Sequence, residues 1–415
     1  MMAGTRRAAT AAAPVFLLLL GACGAPEKIA PGRAGSSEAL GAPLAIPAGP
    51  RSSAPEISAF GDRVVVSWIE PGPDGAPALR YAERSSGGWG PACTVASDRR
   101  ISCEAMDVCG VVPMAEGALA AYWLIHVDGT AHERAIHVSE SHDGGTTWSL
   151  PVEPHRRDAP GSRGMATVVP RPGRDRFDIV WLDARAGEES DYGEGGTALY
   201  AASFTGTRFE AESVLDPRVC DCCKTAATAG PAGPIVAYRG RGPGEQRDID
   251  VVSQIDGRWT APHRVGDDGW TITACPTNGP AIASRGARVV VAWYTAAKAT
   301  PSVRAAFSDD AGKTFAPTLR IDDAHPLGRV DADLFPDGSA AVVWLERLGE
   351  GAIVQLRRVA PVGPAGAPLT IAATGAARTS GYPRVAVVGP REAIVVWTDT
   401  TSEASRVRGA QITVP

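Results

Sequence analysis

Residues 139–149 read SESHDGGTTWS, and residues 308–315 read SDDAGKTF. Both are too rich in small and polar residues for a buried strand, and neither has helical periodicity. Both carry the same residue types in the same order: Ser141, Asp143, Gly145, Thr147 and Trp148 in the first, Ser308, Asp310, Gly312, Thr314 and Phe315 in the second. That order suits a hairpin turn. The aspartate can accept backbone N–H bonds, and the glycine supplies a dihedral that other residues resist. The ring that follows can pack between sheets. A chain that builds this turn twice is built of repeats.

The repeat is visible outside the turns. Short β-branched runs such as VVVSW, IVAY, VVVAWY, AAVVW and AIVVW are bounded by Gly, Pro and Asp, which marks strands. One aromatic sits near the end of each: Trp68, Trp123, Trp181, Tyr238, Trp293, Trp344 and Trp397, at gaps of 55, 58, 57, 55, 51 and 53 residues. A period of about 55 residues with four short strands is that of a β-propeller blade. No long amphipathic helix is present, so the chain reads as all-β. Seven four-stranded antiparallel blades are predicted, six being the alternative. The last unit lacks its fourth strand. Ala42–Pro47 can supply it and close the ring without an open sheet edge.

Both turns fall between a third and a fourth strand. There they resemble the Asp-box, S-x-D-x-G-x-T-W, of sialidase-like (BNR) propellers; QIDGRW and SSGGWG look like decayed copies. The box is structural in that family, so the resemblance, spanning 43–415 as architecture, implies a fold and no catalysis. It also implies that the boxes occupy one face and that ligands bind the other. Sialidases of the family use three arginines on the substrate carboxylate, a Tyr–Glu nucleophile pair, an acidic Asp and an early F/Y-R-I-P motif, on six blades. This sequence has no R-I-P after its signal and seven units. Those departures count against sialidase activity.

The chain of 415 residues is 44% hydrophobic and 21% charged, an ordinary globular composition. Net charge is −5 with no basic block, so no nucleic-acid partner is expected. Residues 1–23 read as an export signal, with Arg6 and Arg7 before an apolar stretch too short to span a membrane. It ends LGAC, which resembles the bacterial lipobox, with Cys23 as the lipidated residue. Residues 24–42 read as a flexible tether. The expected address is therefore the bacterial cell envelope, lipid-anchored. Gly24 after the cysteine, with no Asp there, favours the outer membrane over the inner.

Candidate chemistry is collected from the face opposite the boxes. Cys220, Cys222 and Cys223 lie in VCDCC, and Cys275 lies one repeat beyond Cys220, so these thiols should be neighbours on adjacent blades. Disulfides are the first reading, suited to an oxidising compartment. A soft metal, copper or zinc, is the alternative; no cofactor is assigned. Two residues after the aromatic, four units carry a carboxylate: Glu70, Asp183, Glu346 and Asp399. The following loops add Arg185, Arg239, Glu245, Arg247 and Asp248 beside Tyr238. Arginines among carboxylates make a site for a polar, anionic ligand, or else a solvated charged rim.

The expected function is an envelope propeller that binds a small polar ligand, a glycan or an envelope protein at its channel mouth. The alternatives are a sialidase-like exo-glycosidase, which is the form any catalysis would take, and a cysteine-based metal or redox site.

Overall fold

The computed structural model describes Met1 and residues 41–415, apart from 86–87, 108, 131, 158–159, 172–175, 186–195 and 207. Cys23, the rest of the signal beyond Met1 and residues 24–40 of the tether lie outside the described residues.

Seven antiparallel sheets succeed one another along the chain. Their first strands are Ser53–Phe60, Gly110–Pro113, Arg163–Pro170, Ala226–Ala229, Ala281–Arg285, Pro326–Leu334 and Arg384–Val387, here blades 1 to 7. These strands surround a central channel, and each pairs with the aromatic-bearing second strand outside it. The β-branched runs are the second strands, buried on both faces: every residue of Val64–Glu70 and of Phe177–Asp183 is buried. The seven repeat aromatics fill the layers between sheets. Trp68, Trp181, Trp293 and Trp344 are fully enclosed, and Trp123, Tyr238 and Trp397 nearly so. Replacing one with Ala should cost about 3–5 kcal/mol through lost burial and the cavity left behind.

The ring closes as the repeat count requires. Gly41–Leu44 pairs antiparallel with Gly409–Ile412 and becomes the outer strand of blade 7. The paired stretch stops earlier than the predicted Pro47. Ile46 leaves the ladder to lie over Gly409, where a Cβ would stand 2.7 Å from its Cδ1. Blade 2 has three strands, and its fourth is reduced to a single pair, Val138 with Val152. Pro151 and Pro154 flank that residue and have no N–H for a ladder.

The two opening stretches adopt the same turn. Asp143 accepts Thr147 N–H at 2.9 Å and Thr147 Oγ1 at 2.6 Å, while Ser141 Oγ accepts Gly145 N–H at 2.8 Å. Asp310, Thr314, Ser308 and Gly312 repeat these bonds at 2.9, 2.6 and 2.9 Å. Gly145 (φ 89°) lies against the preceding blade, where a Cβ would stand 1.7 Å from the Tyr81 hydroxyl. QIDGRW differs: Asp256 and Gly257 both take positive φ in a two-residue hairpin.

Candidate functional site

The channel mouth follows from strand register. In every blade one first-strand residue pairs with the residue just before the aromatic: Glu56, Gly110, Thr167, Ala226, Ala281, Asp331 and Arg384. These seven form one ring around the channel. Asp331, Arg384 and Glu56 belong to consecutive blades 6, 7 and 1, so the charges fall on one arc. At blade 2 the Tyr122 ring occupies the space beside Gly110, where a Cβ would stand 2.9 Å from it. Thr167, Ala226 and Ala281 make a small-residue arc opposite.

Three blades reach this ring through the same distortion. Ala54, Met165 and Arg329 have positive φ (52°, 52° and 56°), each two residues before the ring position and inside a register shift. Such bulges re-aim side chains, and the strained dihedrals cost on the order of 1–3 kcal/mol each.

Arg384 joins the acids. Its guanidinium lies 2.7 Å from Glu56 Oε2 and 3.6 Å from Asp331 Oδ1, and it stacks over Tyr382 at 5.5 Å. Lys224 reaches the same space from the segment before blade 4. It is 5% exposed, lines the channel, and holds its ammonium 5.0 Å from the Tyr382 ring centre. Among the described residues no carboxylate or carbonyl lies within bonding distance of that ammonium. Burial and the Arg384 charge lower the Lys224 amine to about 8, against the pull of Asp331 and Glu56. Burial raises the Glu56 carboxyl, with Arg384 opposing and Asp331 adding. The channel is a cavity of about 460 Å³ lined by the first strands of all seven blades. That volume suits a small ligand.

The thiols meet beside this mouth. Cys222 is bonded to Cys275, which ties the segments leading into blades 4 and 5, and Cys103 is bonded to Cys109. Cys220 and Cys223 are buried free thiols with sulfurs 3.3 Å apart, and Cys220 Sγ is 3.7 Å from Cys222 Sγ. The Cys223 contact, a backbone N–H and the Arg239 and Arg247 charges lower Cys220 to about 7 against burial, which raises Cys223. The sulfurs of Cys220, Cys222 and Cys223 lie within 4.8 Å of one another, near enough for a soft metal were Cys222 reduced.

The predicted ligand residues form two groups. Arg239, Glu245, Arg247 and Asp248 come together in blade 4. Arg239 is buried and donates to Asn278 O (2.9 and 2.8 Å), Tyr294 O (2.7 Å) and Arg247 O (2.5 Å), stacked on Trp270 at 4.9 Å. Glu245 accepts from Arg241 at 3.0 Å and Arg247 at 2.5 Å. Asp248 accepts the Trp270 and Gly269 N–H groups at 3.0 and 3.1 Å. Tyr238 donates to Asp216 at 2.7 Å. Asp183 and Arg185 belong to blade 3, paired with each other at 2.6 Å, with Glu212 as a second partner of Arg185. The carboxylates two residues after the aromatics serve local geometry: Asp183 accepts Trp181 Nε1 at 3.0 Å and Glu346 accepts Trp344 Nε1 at 2.8 Å. Strand phase separates the ends of each sheet. Ser141 and Ser308 pair with Leu119 and Val289 near the start of second strands, while Asp183 and Arg239 close second strands.

Glu56, Lys224, Asp331, Arg384, Tyr122 and Tyr382 were not singled out by sequence. For Glu56, Asp331 and Arg384 the signal was a charge at a fixed offset on the innermost strand, visible only once the register is known; Lys224, Tyr122 and Tyr382 carry no such offset.

The fold is a seven-bladed β-propeller of antiparallel sheets. The chain matches no protein family and no curated protein. It does match solved structures, among them sialidases and other β-propeller proteins. A Dyadobacter fermentans protein of unknown function is 14% identical at TM-score 0.49, covering 88% of this chain and 95% of its own. A NanB sialidase variant of Streptococcus pneumoniae is 11% identical at TM-score 0.47, covering 84% and 83%. A variant α-L-arabinofuranosidase of Fusarium graminearum is 13% identical at TM-score 0.47, covering 88% and 93%. Likeness at this level carries no chemistry.

Proposed function

We propose that this chain is an envelope-anchored propeller that binds a small anionic ligand at the mouth of its central channel. Lys224 carries the reading: an amine enclosed by protein, facing a cavity, with no anion of the described residues bonded to it. A carboxylate or sulfate entering the mouth would gain a charge-assisted hydrogen bond from that ammonium, worth about 1.5–3 kcal/mol. Glu56 and Asp331 would accept from the ligand's hydroxyls, and Tyr382 would offer its ring face. A hydroxylated acid, such as a sugar acid, has both features. Anchoring through a lipidated Cys23 would hold the mouth at a membrane surface.

The test is calorimetry with N-acetylneuraminate, glucuronate and glucose as probes. Binding of at least one acid, weakened roughly tenfold to hundredfold by Lys224→Met, supports the reading. Equal binding of glucose and glucuronate, or an unaffected Lys224→Met variant, would overturn it. A fluorogenic sialoside in the same preparation tests for hydrolysis.

A further inference from the structure

The cysteine cluster is more than a staple. The Cys222–Cys275 disulfide sits at the surface, with both residues half-buried and Asp221 beside them exposed. Directly beneath it lie two reduced sulfurs, Cys220 at 1% and Cys223 at 2% exposure. A disulfide and a dithiol held in contact have no reason to remain distinct, because thiolate attack on a disulfide needs only approach and a charged sulfur. The approach is given: Cys220 Sγ is 3.7 Å from Cys222 Sγ and 3.3 Å from Cys223 Sγ. So is the charge. Arg247 is 3% exposed, its Nε and Nη1 find no oxygen or nitrogen partner among the described residues, and its field, with that of Arg239, acts on Cys220. Two enclosed guanidiniums beside one sulfur stabilise its anion.

We propose that these four cysteines form a thiol–disulfide exchange site, in which the buried Cys220–Cys223 dithiol passes an electron pair through Cys222–Cys275 to an external low-molecular-weight disulfide. Cys220 thiolate attacks Cys222 Sγ; the Cys220–Cys222 bond forms, the Cys222–Cys275 bond breaks, and Cys275 leaves as thiolate. Cys223 gives its proton to Cys275 and attacks Cys220, which forms Cys220–Cys223 and frees Cys222 as thiolate. The disulfide is now buried and the dithiol is at the surface. Cys222 then attacks the external disulfide and releases its first half as thiolate. That half takes the Cys275 proton, and Cys275 attacks Cys222, closing their bond and releasing the second half, which is protonated by water. The buried pair is oxidised by two electrons and the external disulfide is reduced by two.

The experiment uses the full chain carrying Cys23→Ser and Cys93→Ser, the latter removing a half-buried free thiol on the strand Cys93–Ser97 of blade 1, with oxidised glutathione as the probe. Released glutathione is measured, and linkages are mapped by maleimide trapping and tandem mass spectrometry. The expected result is about two glutathiones per chain, with Cys220 and Cys223 no longer alkylated when label is added under denaturing conditions. Cys220→Ser should abolish release. Removing the surface pair with Cys222→Ser and Cys275→Ser should slow oxidation of the buried pair at least about tenfold. Should Cys220→Ser fail to fold by circular dichroism, the linkage map of the parent decides. Release at an unchanged rate without the surface pair would overturn the proposal. So would no release from the parent, or a stoichiometric metal held by the isolated thiols.

Discussion

Arg384 is the residue whose loss tests the channel mouth most sharply. Its side chain is 6% exposed and that of its partner Glu56 is 16% exposed, with 2.7 Å between them. Arg384→Met keeps the length of the side chain and removes the charge. Glu56 and Asp331 then share an enclosed site with no arginine between them. Breaking a buried pair by deleting one partner costs about 3–5 kcal/mol, since the remaining charge stays desolvated. The cost should depend on pH. Burial already raises the Glu56 carboxyl in the native protein, and without Arg384 it rises further. A folded-state value above the unfolded one means that the folded form binds the extra proton. The damage is therefore least at low pH and grows as pH rises through the folded value. Urea denaturation followed by tryptophan fluorescence should show the full loss at pH 8 and a smaller one at pH 5. Adding Glu56→Gln to the variant should recover roughly 1–3 kcal/mol at pH 8 and little at pH 5. A loss under about 1 kcal/mol, or one equal at both pH values, would refute the reasoning.

Lys224 must be protonated to hold an anion, so affinity for an acidic ligand should fall as pH rises through about 8, measured by calorimetry from pH 6 to 9.5. Thr147 and Ser141 hydrogen bonds hold the Asp143 carboxyl down to about 2, and Thr314 and Ser308 do the same for Asp310. Their stabilisation is complete above the ordinary carboxylate range and fades as pH falls toward 2; thermal melts of the Asp143→Asn, Asp310→Asn variant should be flatter with pH across that window. Deleting residues 41–44 should lower the melting temperature, whereas scrambling 24–40 should leave it unchanged, because only the former removes ladder hydrogen bonds. Cys23→Ala should move the protein from the membrane to the soluble fraction on immunoblots, and mass spectrometry of the mature N-terminus should find a lipidated Cys23.

The architecture was legible because it is periodic. Seven aromatics at near-constant spacing name the second strands, and each boxed turn carries its hydrogen-bond partners within a few residues. Cys275 falls next to Cys222 for the same reason, one repeat being one blade. The channel mouth was not legible. Asp331, Arg384 and Glu56 are far apart in the chain, and each stands in an ordinary strand-like run. Only the cross-strand register shows that they share a level; Gly164 and Gly328 precede the bulges at Met165 and Arg329, but no glycine adjoins the one at Ala54. Arg239 misled in the opposite way. In a Gly-rich loop it reads as exposed, but three backbone carbonyls of the folded chain satisfy its guanidinium.

The pairing of Gly41 with Ile412 sets a schedule for folding as well as a shape. Blades 1 to 6 are each built from one continuous stretch, so each can form as its own residues emerge. Blade 7 needs both ends of the described chain, and loop closure on that scale is entropically the slowest step. Until it happens, the strand Arg406–Thr413 shows an unpaired edge, the feature most open to pairing with another molecule. A circular permutant with its ends moved into the exposed 323–325 turn between blades 5 and 6 would make blade 7 contiguous, and should refold faster and aggregate less at similar stability.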